Sequence, residues 1–217
     1  MSREIIEELV KIPAASATLE GFLELPEGTK AIVVFAHGSG SSRHSKRNRY
    51  VAGVLHEAGI GTLLFDLLSP EEDMAYENRF NIGLLAERLR AATNWLRDKP
   101  KTGNLVTGYF GSSTGAAAAL TAAAGEENKI AAIVSRGGRP DLAPDALPKV
   151  QSPTLLIVGG LDDVVIVLNK QAYALLTCEK EMRIVPGATH LFEEQGKLQE
   201  VAGLAAEWFS RFLLRAK

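Results

Sequence analysis

Residues Gly111-Ser112-Ser113-Thr114-Gly115 set a serine at the centre of G-x-S-x-G, between an apolar run (Leu105 to Phe110) and an alanine-rich run (Ala116 to Ala124). A buried strand turning sharply into a small-residue helix would hold that serine on a strained corner, its hydroxyl standing above a sheet. The flanking glycines leave space where a Cβ would collide with neighbouring backbone. A hydroxyl is a poor nucleophile near neutral pH, so it needs an imidazole to take its proton and a carboxylate to orient that imidazole. Both follow downstream. Gly159-Gly160-Leu161-Asp162-Asp163-Val164-Val165 comes after the apolar run Thr154 to Val158, and Pro186-Gly187-Ala188-Thr189-His190 comes after Met182 to Val185. Ser113, Asp162 and His190 are the candidate catalytic residues. Asp163 competes for the acid role.

A tetrahedral intermediate also needs backbone N–H donors aimed at its oxygen. The amide of Thr114, directly after the serine and at a helix start, is one source, because the helix dipole favours an anion there. The loop His37-Gly38-Ser39-Gly40 is the other, with the amide of Ser39 as the expected donor. Of the four histidines only His190 lies late, on a loop after the last strand. His37 is expected to brace its loop, His44 to be an exposed loop residue, and His56 to sit half-buried in a helix. No pair of histidines or carboxylates has metal-ligand spacing, so neither a metal nor another cofactor is expected. Arg43, Arg79, Arg136 and Arg139 fall near the same loops. Arg136, in Ser135-Arg136-Gly137-Gly138, is the candidate substrate-binding residue, able to hold a substrate carboxylate in bidentate fashion. The bland reading for each arginine is a surface pair with Glu71, Glu72, Asp73 or Glu77.

Strands and helices must alternate to bring these segments together. Glu8 to Ile12 and Ala17 to Leu25 alternate in polarity and read as an antiparallel pair. Ala31 to Ala36 is a continuous apolar run, as in a strand buried on both faces. Further strands are expected at Gly61 to Leu68, Leu105 to Phe110, Ile130 to Val134, Thr154 to Val158 and Met182 to Val185. Helices are expected at Tyr50 to Glu57, Asn81 to Arg97, after Ser113, at Asn169 to Leu176 and at Leu198 to Leu214. That alternation gives a mostly parallel sheet covered on both faces, with loops gathered at the carboxyl ends of its strands.

With 217 residues, 46% hydrophobic and 23% charged, the chain has the composition of one ordinary α/β domain. A formal net charge of −2 gives no support for a nucleic-acid partner or a membrane surface. One cysteine, Cys178, excludes an intramolecular disulfide and suits a reducing compartment. Met1-Ser2-Arg3-Glu4 does not open a secretory signal, and no apolar run is long enough to span a bilayer. A cytoplasmic location is the expectation; nothing in the sequence fixes the oligomeric state.

Four segments in this order, F-A-H-G-S-G at 35–40, G-S-S-T-G at 111–115, G-G-L-D-D-V-V-I at 159–166 and P-G-A-T-H at 186–190, resemble the α/β-hydrolase superfamily, and within it the compact dienelactone-hydrolase-like group. The resemblance spans nearly the whole chain, and because its pattern sets the acid three residues after the glycine that ends a strand, here Gly159, it implies Asp162 rather than Asp163 as the acid. It implies an eight-stranded, mostly parallel sheet with hydrolytic activity. In dienelactone hydrolases themselves the nucleophile is a cysteine, whereas this elbow carries Ser113 and Cys178 lies far off. The resemblance therefore implies a serine esterase acting on small carboxylic esters or lactones. No long insertion separates Ile130 from Thr154, where large lids enter related folds, so no broad lid is expected. A thioesterase or peptidase would use the same three residues, and a hydrolase-shaped binding protein would keep the scaffold without the chemistry. A dinucleotide-binding domain is a poorer fit, because Arg43 stands where Gly38-Ser39-Gly40-Ser41-Ser42-Arg43 would need its third glycine.

Overall fold

The computed structural model describes residues 4–125 and 130–214. Eight strands form one sheet in the order β1-β2-β4-β3-β5-β6-β7-β8. They are β1 (Ile5–Ala14), β2 (Ala17–Pro26), β3 (Ala31–Ala36), β4 (Gly61–Phe65), β5 (Val106–Ser112), β6 (Ala132–Arg136), β7 (Thr154–Gly159) and β8 (Lys180–Val185). β1 pairs antiparallel with β2, and β2 antiparallel with β4; every other pairing is parallel. Pro13 has no N–H for a ladder and is tolerated because β1 is an edge strand.

Side-chain alternation explains why the middle strands are apolar throughout. In β3, Ile32, Val34 and Ala36 enter one core layer while Ala31, Val33 and Phe35 enter the other. In β5, adjacent Tyr109 and Phe110 go to opposite layers in the same way. The first layer is roofed by α3 (Ile82–Arg97), α4 (Thr114–Ala123) and α5 (Asp163–Leu175), the second by α1 (Lys46–Glu57) and α6 (Lys197–Leu213). The stripe Leu85, Leu89, Ala92 and Leu96 of α3 is buried, as a 3.6-residue period requires.

Several boundaries differ from the sequence reading. α1 starts at Lys46 rather than Tyr50, because Ser45 caps it and accepts from the Asn48 amide at 3.3 Å. α5 begins at Asp163, six residues before the expected start. A short helix, α2 (Pro70–Asp73), and a 3-10 turn over Tyr76–Phe80 fill a stretch that had no assignment. β6 runs two residues past its apolar core, so Arg136 ends a strand instead of opening a loop. Between β6 and β7 stand only two 3-10 turns, Pro140–Leu142 and Leu147–Lys149, and no large lid. No helix among the described residues is long and apolar enough to cross a membrane.

Candidate active site

The turn from β5 into α4 puts Ser113 at φ 50°, ψ −121°, a left-handed conformation that costs a non-glycine residue of order 1–3 kcal/mol. Its surroundings hold it there. The carbonyl of Ser113 accepts from Ala116 N at 3.1 Å and Arg139 N at 3.0 Å, and its amide donates to Arg136 O at 3.4 Å. The two motif glycines are dictated by space. A Cβ on Gly111 would lie 2.5 Å from Ala116 Cα, and one on Gly115 would lie 2.1 Å from Ala36 O. Ser113 stays partly accessible while Ser112 and Thr114 are buried.

His190 sits on the loop after β8, with Nδ1 2.6 Å from Asp162 Oδ2. Asp162 occupies the capping position of α5 but makes no side-chain capping bond, so its carboxylate is not spent on the helix. Asp163 is exposed in the first turn of α5. The two loops are laced together by Gly160 N to Val185 O at 2.8 Å and Leu161 N to Ala188 O at 2.9 Å. Gly159 permits that approach, since a Cβ there would meet both Ala188 O and Thr189 O at 2.5 Å.

Ser113 and His190 line one cavity of about 210 Å³, together with Gly38, Ser39, Arg47 and Arg136. No hydrogen bond joins Ser113 Oγ to His190 among the described residues. Such bonds often tighten only when substrate arrives. The loop at 37–40 lies against the serine, and a Cβ on Gly38 would stand 3.0 Å from Ser113 Cβ. His37 braces this loop through both ring nitrogens: Nδ1 is 3.0 Å from Gly38 O, and Nε2 accepts from Leu67 N at 3.0 Å. Packing around that ring holds the imidazole below the ordinary histidine range. The Ser39 amide, expected as a free oxyanion donor, is engaged by Thr114 Oγ1 at 3.0 Å. The two loops that would cradle an oxyanion are therefore bonded to each other.

The remaining candidates separate clearly. Arg43 is held by Asp66 and by Glu20, the latter at 2.6 Å, so Asp66 is not presented to a ribose as a dinucleotide site would need. Arg79 pairs with Asp73 at 2.7 Å and Arg139 with Asp141 at 2.8 Å. Arg136 is buried in the cavity wall without an ion pair among the described residues. His44 is exposed and meets Phe22 edge-on, while His56 is buried with Nε2 2.8 Å from Thr62 Oγ1. Cys178 contacts Thr154 at the start of β7, the opposite end of the sheet, and burial pushes its thiol pKa up. Among the described residues no group of three or more His, Cys, Asp or Glu could hold a metal ion.

Arg47 and Asn48 also line the cavity, and sequence reasoning missed both. Asn48 accepts from Ser112 Oγ at 3.2 Å, fixing the wall behind Ser113. The signal that could have found them is Ser45, a capping residue three positions before Asn48.

An eight-stranded, mostly parallel sheet with a strained serine at the β5–α4 turn defines an α/β-hydrolase. The Dienelactone hydrolase family profile matches residues 19–213, and the chain belongs to that family. A dienelactone hydrolase from Anabaena variabilis is 54% identical, with TM-score 0.93 over 96% of this chain and 99% of that one. Est1E from Butyrivibrio proteoclasticus shares the fold at 15% identity, with TM-score 0.81 over 95% of this chain and 99% of its own. A Mycobacterium tuberculosis protein named "Putative phosphoribosyl transferase" is 57% identical over 203 residues, which are 94% of this chain and 46% of that protein. The chain thus spans about half the length of that relative.

Proposed function

We propose that the protein is a serine hydrolase that cleaves small carboxylic esters or lactones through an acyl-enzyme on Ser113. The observation that carries this is the opening of a strained serine, and of a histidine already held by a carboxylate at 2.6 Å, onto one cavity of about 210 Å³. Ser113 Oγ attacks the substrate carbonyl carbon while its proton passes to His190 Nε2. Asp162 keeps the His190 Nδ1 proton in place and stabilises the imidazolium. The oxyanion takes the Thr114 N–H, with the Ser39 N–H shared between Thr114 Oγ1 and the substrate oxygen. The ester C–O bond then breaks, and His190 returns the proton to the departing alkoxide. Water, deprotonated by the same imidazole, releases the acid and restores Ser113. The modest cavity and the absence of a large lid favour short, soluble substrates over long acyl chains.

A fluorophosphonate probe and a panel of p-nitrophenyl esters, thioesters and small lactones test this reading. Labelling should map to Ser113, and Ser113→Ala should lower kcat by roughly 10³-fold or more on whichever substrate class is turned over. Turnover unaffected by Ser113→Ala would overturn it. The transferase name belongs to a protein about twice as long as this chain, and phosphoribosyl transfer has no use for an acyl-accepting serine.

A further inference from the structure

Helices that roof a sheet turn an apolar stripe inward and polar residues to water. α3 and α6 obey this. The exposed positions of α3 are Gly83, Glu87 and Asn94, and those of α6 are Gln199, Glu200, Gly203, Glu207 and Arg211. α5 does not. It buries Val165, Asn169 and Ala172, yet its outer side carries Val164, Val167, Ala174 and Leu175. Val164 is 71% exposed and Val167 53%, and Leu161, just before the helix, is exposed as well. Single exposed apolar residues are ordinary, but a run of them along one helix face marks a contact surface.

Two charges on that face are spaced to suit a copy of the same helix. Asp163 and Lys170 stand seven residues apart, about two helical turns, so both flank Val167 on one side while Val164 flanks it on the other. Neither side chain has an ion pair or hydrogen bond among the described residues. Consider two α5 helices packed antiparallel, with a two-fold axis passing between Ile166 and Val167. Asp163 and Lys170 then lie equally far from the axis, about 5 Å along the helix at roughly 1.5 Å per residue. Asp163 comes level with Lys170 of the second copy, and Lys170 with Asp163 of that copy. Val167 meets its own counterpart at the axis. A parallel pair would instead set Asp163 against Asp163 and Lys170 against Lys170.

We propose that this face of α5 is an isologous interface between two copies of the chain, packed antiparallel, with Asp163 and Lys170 paired across it twice. One helix face is smaller than the roughly 800 Å² that each partner of a stable complex covers, so the association is reversible, with a micromolar Kd. No residue of α5 lines the cavity beside Ser113, so the pairing does not occupy it.

Sedimentation velocity of the full chain over about 5–500 µM tests this, a range that brackets a micromolar Kd. The expected result is a monomer–dimer equilibrium weakened by salt, because the paired charges lie at the surface. Val167→Glu sets two carboxylates face to face at the axis and should raise Kd by about 100-fold or more. Asp163→Lys and Lys170→Asp each set like charges opposite one another and should raise Kd by about tenfold or more. The double swap of Asp163→Lys with Lys170→Asp restores opposite charges and should return the dimer, which separates lost pairing from lost folding. Thermal melts check that each variant is folded. A monomer throughout the range overturns the proposal and leaves this face to a partner of different sequence. A dimer that Val167→Glu leaves intact is joined elsewhere, which overturns it too. A double swap as weak as the single swaps overturns the antiparallel register.

Discussion

Replacing Gly159 by alanine should uncouple Asp162 from His190 without touching either. The added Cβ would stand 2.5 Å from the carbonyls of Ala188 and Thr189, against about 3.4 Å where ordinary contact begins. Both obstacles are backbone, so no flexible side chain can yield, and the His190 loop must retreat from the Asp162 loop by about 0.9 Å. The 2.6 Å link between His190 Nδ1 and Asp162 Oδ2 cannot survive that retreat unchanged. A misplacement near 1 Å costs catalysis roughly 10²-fold, most of it in kcat. The assay is steady-state hydrolysis of a p-nitrophenyl ester, with the downfield imidazole proton followed by NMR and folding checked by thermal melting. Gly53→Ala is the control, because nothing lies within 4 Å of a Cβ at that exposed helix position. It should raise stability by about 0.5–1 kcal/mol and leave kcat alone. A well-folded Gly159→Ala enzyme that keeps kcat within about threefold would refute the reasoning.

Asp162→Asn should lower kcat by roughly 10³- to 10⁴-fold while Asp163→Asn changes it only a few-fold, because only Asp162 reaches His190; a steady-state comparison decides. Thr114→Val removes the acceptor of the cavity-facing Ser39 amide and should cost about 0.5–1.5 kcal/mol in urea unfolding, whereas Thr114→Ser keeps the bond and the stability. His37 is held neutral, its folded pKa below the ordinary value of 6.5. The unfolded chain therefore takes up the proton first, and the contribution complete above about pH 6.5 is lost as pH falls, by at most about 1.4 kcal/mol per pH unit. Melting curves at about pH 7.5 and about pH 5.5 should show this fall, and His37→Gln should shrink it.

The sheet was legible wherever burial on both faces wrote itself as an unbroken apolar run. β3 at Ala31–Ala36 needed no adjustment for that reason. Where a strand or helix continued into polar residues, the reading stopped short. Ser135 and Arg136 are buried polar residues that end β6, and Lys46, Arg47 and Asn48 form a polar first turn of α1. α2 is too short for any hydrophobic period, although Ser69 and Glu72 spell out a reciprocal capping box. The Val164 to Leu168 stretch carries no clear helical stripe and hid the start of α5. In the candidate site, residue types and order pointed to Ser113, Asp162 and His190. The engagement of the Ser39 amide by a side chain 75 residues away could not be read from any local pattern. The pairing state of Arg136 likewise depends on which carboxylates fold toward it, and none does among the described residues.

Ala116, Ala117, Ala118 and Ala119 open the first turns of α4, each without solvent exposure. A helix this slender sits so tightly on the sheet that even one added methylene beneath Ser113 would push the whole turn outward. Variation in what the cavity admits is therefore barred from its floor. It is left to exposed wall residues such as Ser41 and Leu191, where side chains can change size without disturbing the corner that holds Ser113.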